Sequence, residues 1–206
     1  MANWDLELLK LINQEWTASW LDWLMPAISA IEAWMPPLVV LAFFLAVKGG
    51  RPAKRALLCC ALAIGIGDGL ISNTLKKSIG RERPRDVVAG VVVRDLGLAE
   101  PAFMRLFEKP TVHEGQLKTP AQLTGGKSFP SSHTINMFAV ATVLACFYRR
   151  LGIATYLLAA AVAYSRIYCG AHWPSDIPPS IALGLLTGLG VVWGVRRLDS
   201  KPATSA

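Results

Sequence analysis

Five long apolar runs, each closed by charge, set the plan of this chain: Leu24–Val47, Ala56–Leu75, Thr134–Tyr148, Leu151–Ala163 and Ile177–Val195. A helix that crosses the hydrocarbon of a bilayer needs roughly 20 mostly apolar residues, with a range of about 17–25. Three of the runs meet that length directly, and the other two reach it by extending into their flanks. The segment ahead of them, Asp5–Leu24, follows another pattern. Trp4, Leu8, Leu11, Ile12, Trp16, Trp20 and Trp23 recur at near-helical spacing among Asp5, Glu7, Lys10, Asn13 and Glu15. Such a stripe predicts an interfacial helix over residues 5–23, with its tryptophans at headgroup depth. The segment lacks the basic start and compact apolar core of a signal peptide and is expected to remain in the mature protein. The pattern therefore predicts an all-α integral membrane protein, one domain over residues 1–206. It should hold about five transmembrane helices in a bundle, preceded by the interfacial helix.

Composition supports the bilayer. The 206 residues are 53% hydrophobic and only 17% charged, where a soluble domain carries about a quarter charged residues. Mean hydropathy is +0.40. The cations are not scattered. Lys48, Arg51, Lys54 and Arg55 join the first two runs, Arg149 and Arg150 join the third and fourth, and Arg196, Arg197 and Lys201 follow the fifth. With five crossings these all fall on one side, which the positive-inside rule makes cytoplasmic. The net charge of +7 does not imply nucleic acid, because no basic helix or interleaved aromatic stripe is present to track a strand. Cys59, Cys60 and Cys146 lie within apolar runs as small hydrophobes, and Cys169 lies between Arg166 and His172. No Cys-x-x-Cys spacing occurs, so neither a disulfide nor zinc is expected.

The chemistry sits on the other side, in three islands at the ends of apolar runs. The first holds Lys76 and Arg83-Pro84, the second Pro130-Ser131-Ser132-His133, and the third Ser165-Arg166 with His172 and Asp176. A basic cluster at the non-cytoplasmic end opposes the topology rule, and anion binding offsets that cost. A helix starting near His133 aims free N–H groups at the same face, with Ser131 or Ser132 available as its cap. Four residues separate His172 from Asp176, so the carboxylate can reach one imidazole nitrogen across a turn and raise the basicity of the other. A lysine, two arginines, two histidines and one carboxylate suit a doubly charged phosphate: cations hold its oxygens, one histidine attacks and the other protonates the leaving group.

Jointly these motifs resemble the type 2 phosphatidic acid phosphatase family of membrane lipid phosphatases, which shares its fold with the vanadium haloperoxidases. The family pattern is Lys-x6-Arg-Pro, Pro-Ser-Gly-His and Ser-Arg-x5-His-x3-Asp, and the spacings fit from Lys76 to Asp176. The resemblance implies that His172 attacks phosphorus to form a phosphohistidine, with Asp176 orienting it. It implies that His133 protonates the leaving oxygen and then helps activate water. Lys76, Arg83, Arg166, the Ser131 hydroxyl and the Ser132 amide are implied to hold the phosphoryl oxygens. No metal or other cofactor is called for, because the cations already do a metal's electrostatic work. Ser132 departs from the family's glycine, which bears on substrate fit and not on reaction class.

The implied partners are a lipid phosphate substrate and membrane lipids. The small size and outward site are similar to bacterial undecaprenyl diphosphate phosphatases, which places that substrate first. Phosphatidic acid, phosphatidylglycerol phosphate and lipid A follow it, as do transfer to a lipid acceptor instead of water and a non-catalytic lipid-binding scaffold. The implied location is the bacterial cytoplasmic membrane, with the site facing the periplasm or exterior. Oligomeric state is not encoded legibly. Residues 85–129 form a long polar connection with an apolar patch at Pro101–Phe107, expected to act as an extracytoplasmic lid. Asp68 and Asn73 lie inside the second run, and Gly184 and Gly188 in the fifth predict close helix packing.

Overall fold

The computed structural model describes residues 3–123 and 126–199. The tryptophan stripe forms α1 (Asn3–Lys10), widens into a π turn over Leu11–Glu15 and ends at Trp16. A second helix, α2 (Ser19–Ser29), follows, and α3 (Ile31–Lys48) starts after one non-helical residue, Ala30. Two expectations change here. The helix over 5–23 is two helices with a bend between them, and the first apolar run is divided at Ala30. The carbonyls at the end of α2 are satisfied from outside its backbone ladder. The Trp34 indole donates to Ala27 O at 2.8 Å and the Ser29 hydroxyl to Met25 O at 3.2 Å.

The second run is one long helical rod: α4 (Arg51–Ile64), a π segment over Gly65–Ser72, and α5 (Asn73–Ile79). Three glycines within five residues, Gly65, Gly67 and Gly69, accompany the change of winding, and π segments of this kind recur at functional sites. Here it delivers Ser72 inward, fully buried. The chain then passes through α6 (Pro84–Val87) to an antiparallel hairpin of β1 (Val92–Asp95) and β2 (Thr111–Glu114), in register Val92↔Glu114 to Asp95↔Thr111. The long connection is therefore largely structured. A 3-10 turn at Ala102–Phe107 between its strands packs on α3.

The bundle closes with α7 (Ser132–Phe147), α8 (Arg149–Tyr168) and α9 (Ile177–Asp199). Among the described residues, four helical stretches are long and apolar enough to cross a membrane: Ile31–Lys48, Arg51–Val87, Arg149–Tyr168 and Pro174–Asp199. The third apolar run is the exception, because α7 has only 16 residues. It is nevertheless the hub, packed against α4, α8 and α9. Its approach to α9 depends on glycine: a Cβ on Gly184 would lie 2.6 Å from Ile135 O, and one on Gly188 2.7 Å from Ala139 O. The glycine pair thus serves packing within the chain.

The two ends of the bundle differ in chemistry. At one end Arg55 pairs with Asp199 at 3.2 Å and Arg196 donates to Cys146 O. At the other, Lys76 meets the start of α7 and Arg81 meets the start of α9. A cap of α1, the π turn and the hairpin covers that second end around fully buried Leu9, Val91, Tyr168 and Trp173. Asn13 fastens it. Its amide donates to Val92 O and Tyr168 O, both at 2.7 Å, and accepts from Val92 N at 2.8 Å. Buried Arg94 continues the seam to Asn13 O and Asp22, and the Tyr168 hydroxyl also donates to Asp22. Buried polar groups matched this fully hold one arrangement, since any alternative leaves several unpaired.

Candidate active site

α8 ends at Tyr168, and Gly170, at φ +69°, turns the chain back on itself. That left-handed conformation suits glycine. It lets the N–H groups of Ala171 and His172 both donate to Arg166 O, at 3.0 and 3.1 Å. His172 is thereby packed under the end of α8 and buried. A 3-10 turn at Pro174–Asp176 then leads into α9, and Asp176 caps it by accepting from Trp173 N at 3.0 Å.

Asp176 Oδ2 stands 3.7 Å from His172 Nδ1, longer than a hydrogen bond. The Ser128 hydroxyl stands beside both, donating to Asp176 Oδ2 and lying 3.5 Å from His172 Nδ1. Arg81 donates to Asp176 Oδ1 at 2.5 Å. Ser128 Oγ and Asp176 Oδ2 lie on the Nδ1 side of the ring, with Arg81 behind the carboxylate, leaving Nε2 as the nitrogen available for reaction. Burial lowers the His172 pKa to about 4; Asp176 opposes the shift, while Arg166 and Arg83 add to it. The ring is therefore neutral at neutral pH, the form a nucleophile needs.

His133 occupies the first turn of α7. It lies within electrostatic range of Arg166, His172, Lys76 and Arg83, so the three islands form one cluster. The Arg83 and Arg166 side chains make no ion pair or hydrogen bond with a described residue, and the Nε of each is buried without a partner. Lys76 Nζ donates to Ser132 Oγ at 2.5 Å, and Ser132 Oγ also bonds Ser72 Oγ at 2.6 Å. The side chain that replaces the family's glycine is thus an anchor for the lysine. The Ser131 hydroxyl is fully buried and caps α7, accepting from Thr134 N and Thr134 Oγ1, while the Ser131 N–H donates to Ser180 Oγ. Both bonds to the hydroxyl are accepted ones, so capping leaves its own proton to donate.

Hydrogen bonds to backbone carbonyls lock the islands together. Ser128 N donates to Arg81 O at 2.7 Å, Arg85 N to Gly170 O at 3.2 Å, and the Trp173 indole to Glu82 O at 2.9 Å. Three contributors were not apparent from motif spacing: Ser128, Arg81 and Asp5, whose carboxylate meets Arg81 at 2.6 Å. Arg81 lies inside the first motif island, and Ser128 two residues before the second. Among the described residues, no group of three or more His, Cys, Asp or Glu side chains is placed to hold a metal.

Residues 55–199 match the model of the PAP2 superfamily. The chain belongs to that family. The match contains every motif position, from Lys76 to Asp176, and leaves α1 to α3 outside it. Among curated relatives, a lipid A 4'-phosphatase of Porphyromonas gingivalis is 31% identical over 82% of this chain and 63% of its own length. One of Bacteroides thetaiotaomicron is 25% identical over 89% and 73%. The bacitracin transport permease protein BcrC of Bacillus licheniformis is 39% identical over 35% of this chain, which spans only about a third (36%) of that relative. Among solved structures, LpxE of Aquifex aeolicus superposes with a TM-score of 0.67 at 24% identity, covering 93% of this chain and 96% of that one. A transmembrane PAP2 type phosphatidylglycerolphosphate phosphatase of Bacillus subtilis gives 0.60 at 19% identity, covering 98% and 90%. The architecture is that of transmembrane PAP2 phosphatases, and the chain is an integral membrane protein.

Proposed function

We propose that the chain is a membrane lipid phosphatase that hydrolyses a lipid phosphate or diphosphate through a phosphohistidine on His172. The observation that carries this reading is the pair of arginines, Arg83 and Arg166, held against two histidines with no anionic partner among the described residues. Half-buried cations left unpaired are costly unless a ligand completes them, and a phosphate dianion matches their forked donors. His172 Nε2 forms a bond to phosphorus as the bond from phosphorus to the leaving oxygen breaks, the lipid oxygen of a monophosphate or the bridging oxygen of a diphosphate. His133 gives its proton to that oxygen. Water then displaces the histidine, losing a proton to His133, and inorganic phosphate leaves. Lys76, Arg83, Arg166, the Ser131 hydroxyl and the Ser132 amide hold the equatorial oxygens, where fixed donors act on charge developed in the transition state.

For the substrate, the relatives pull two ways. Those named lipid A 4'-phosphatase align with 82% and 89% of this chain, while an undecaprenyl-diphosphatase of Bacillus subtilis aligns with 49%. The longer match favours a lipid A-type phosphate over the undecaprenyl diphosphate that size and outward site alone suggest. The site would face the periplasm or exterior, opposite the basic end of the bundle. Phe103, Met104 and Phe107, exposed on the 3-10 turn beside α3, suit a lid against the outer leaflet. The test is phosphate release in detergent micelles with EDTA, from lipid A and from undecaprenyl diphosphate. Turnover that survives EDTA and disappears in His172→Ala supports the reading. Equal turnover by the variant refutes it.

A further inference from the structure

We propose that the amino-terminal helix is a working part of the site: Asp5 is a positioning residue that acts through Arg81 on Asp176, and so on His172. The inference rests on the phosphatase reading only for its kinetic consequence.

Asp5 lies in α1, outside the segment that matches the family, yet its carboxylate is almost wholly buried. Both its oxygens are engaged at the site end of the bundle. Oδ1 accepts from Ser175 N at 2.9 Å, and Oδ2 accepts from Ser175 Oγ at 2.7 Å and Arg81 Nη2 at 2.6 Å. Arg81 then turns its other terminal nitrogen to Asp176 Oδ1 at 2.5 Å and to Ser175 Oγ at 2.7 Å. Its guanidinium lies over the Trp173 ring, 5.1 Å from the centroid. The result is a row of two carboxylates bridged by one planar cation, leading to the aspartate that faces His172 Nδ1.

The row explains a feature the motifs leave open. A lone arginine on Asp176 would compete with His172 for that carboxylate and draw it away from the ring. With Asp5 on its second nitrogen, Arg81 is held at a fixed distance and part of its charge is matched elsewhere. Asp176 Oδ1 is then assigned to Arg81, and Oδ2 is left to Ser128, Trp173 N and the His172 side. The Asp5 carboxylate bonds Ser175 and Arg81 and not the imidazole. Its effect is on the angle and partner of the carboxylate.

A purely mechanical role, pinning α1 to the turn before α9, makes a different prediction, and Asn13 supplies the control. It fastens the same segment at its far end, against Val92 and Tyr168. The experiment compares wild type, Asp5→Asn and Asn13→Ala in detergent, by kinetics and by the ring nitrogen signals of 15N-labelled histidine. The chain has only 3 histidines, and the His172 signals are identified by their absence in His172→Ala. Asp5→Asn should lower kcat about tenfold or more with KM within about twofold, as is usual for groups that orient a reacting side chain. It should also shift the His172 ring signals. Asn13→Ala should lower the melting temperature and leave both readouts in place. Unmoved His172 signals in Asp5→Asn overturn the proposal, whether or not the wild type releases phosphate. An inactive wild type whose His172 signals do move in Asp5→Asn counts against the phosphatase reading alone.

Discussion

Ser128 offers the sharpest test of how His172 is oriented. Its hydroxyl is buried, donates to Asp176 Oδ2 and lies 3.5 Å from His172 Nδ1, whereas the carboxylate itself is 3.7 Å from that nitrogen. Ser128→Ala removes one hydrogen bond to a charged group, a loss of about 1.5–3 kcal/mol. Carried into the transition state at about 1.4 kcal/mol per decade, that is a fall in kcat of roughly 10- to 150-fold. The fold should not suffer greatly, because Ser128 N keeps its bond to Arg81 O at 2.7 Å and Asp176 keeps Arg81 and Trp173 N. The assay is steady-state phosphate release at saturating lipid, with a melting curve to confirm the fold. KM should stay within about twofold, since the interaction does not touch substrate. An intact fold with kcat unchanged would falsify the idea that the serine helps fix the imidazole.

Two further predictions follow from burial and packing. His172, at about 4, is held below the ordinary histidine value of 6.5 by burial. Attack requires the neutral ring, so protonation removes activity only as pH falls through about 4. Titration of the His172 ring in the resting protein should show a midpoint near that value, and one near 6.5 would refute the account. At the α7–α9 contact, Gly188→Leu forces side-chain atoms into space where even a Cβ lies 2.7 Å from Ala139 O. Overpacking of this kind costs about 1–3 kcal/mol and should lower the melting temperature; an unchanged melting curve would mean that the helices part without cost.

The membrane character and the clustered motif positions are legible in the chain because charge beside an apolar run is expensive, so Lys76, Arg83, His133, Arg166 and His172 stand out from their neighbours. The division at Ala30 is not legible, since the residues around it are as apolar as those of a continuous span and the end of α2 is settled by Trp34 and Ser29. The amino-terminal segment misleads for another reason. Its tryptophan and leucine period speaks for one face, while Asp5 and Asn13 on the other find partners 76 and 79 residues away. Helical period carries no trace of such pairings. The hairpin is a middle case: Val91, Val92 and Val93 favour a strand, but so short a run inside a polar stretch declares itself only once Asn13 and Arg94 tie it down.

The shortness of α7 sets a depth. At about 1.5 Å per residue its 16 residues reach about 24 Å, roughly 6 Å less than a typical hydrocarbon layer of about 30 Å. With Arg149 and Arg150 keeping its far end at one water boundary, the end bearing His133 stops about one helical turn short of the opposite boundary. A lipid approaching sideways would then find the cations below the plane of its own headgroup. The phosphate would sink toward them while the tail stays in the leaflet, and a water-soluble ester would have to make that descent with no tail to guide it.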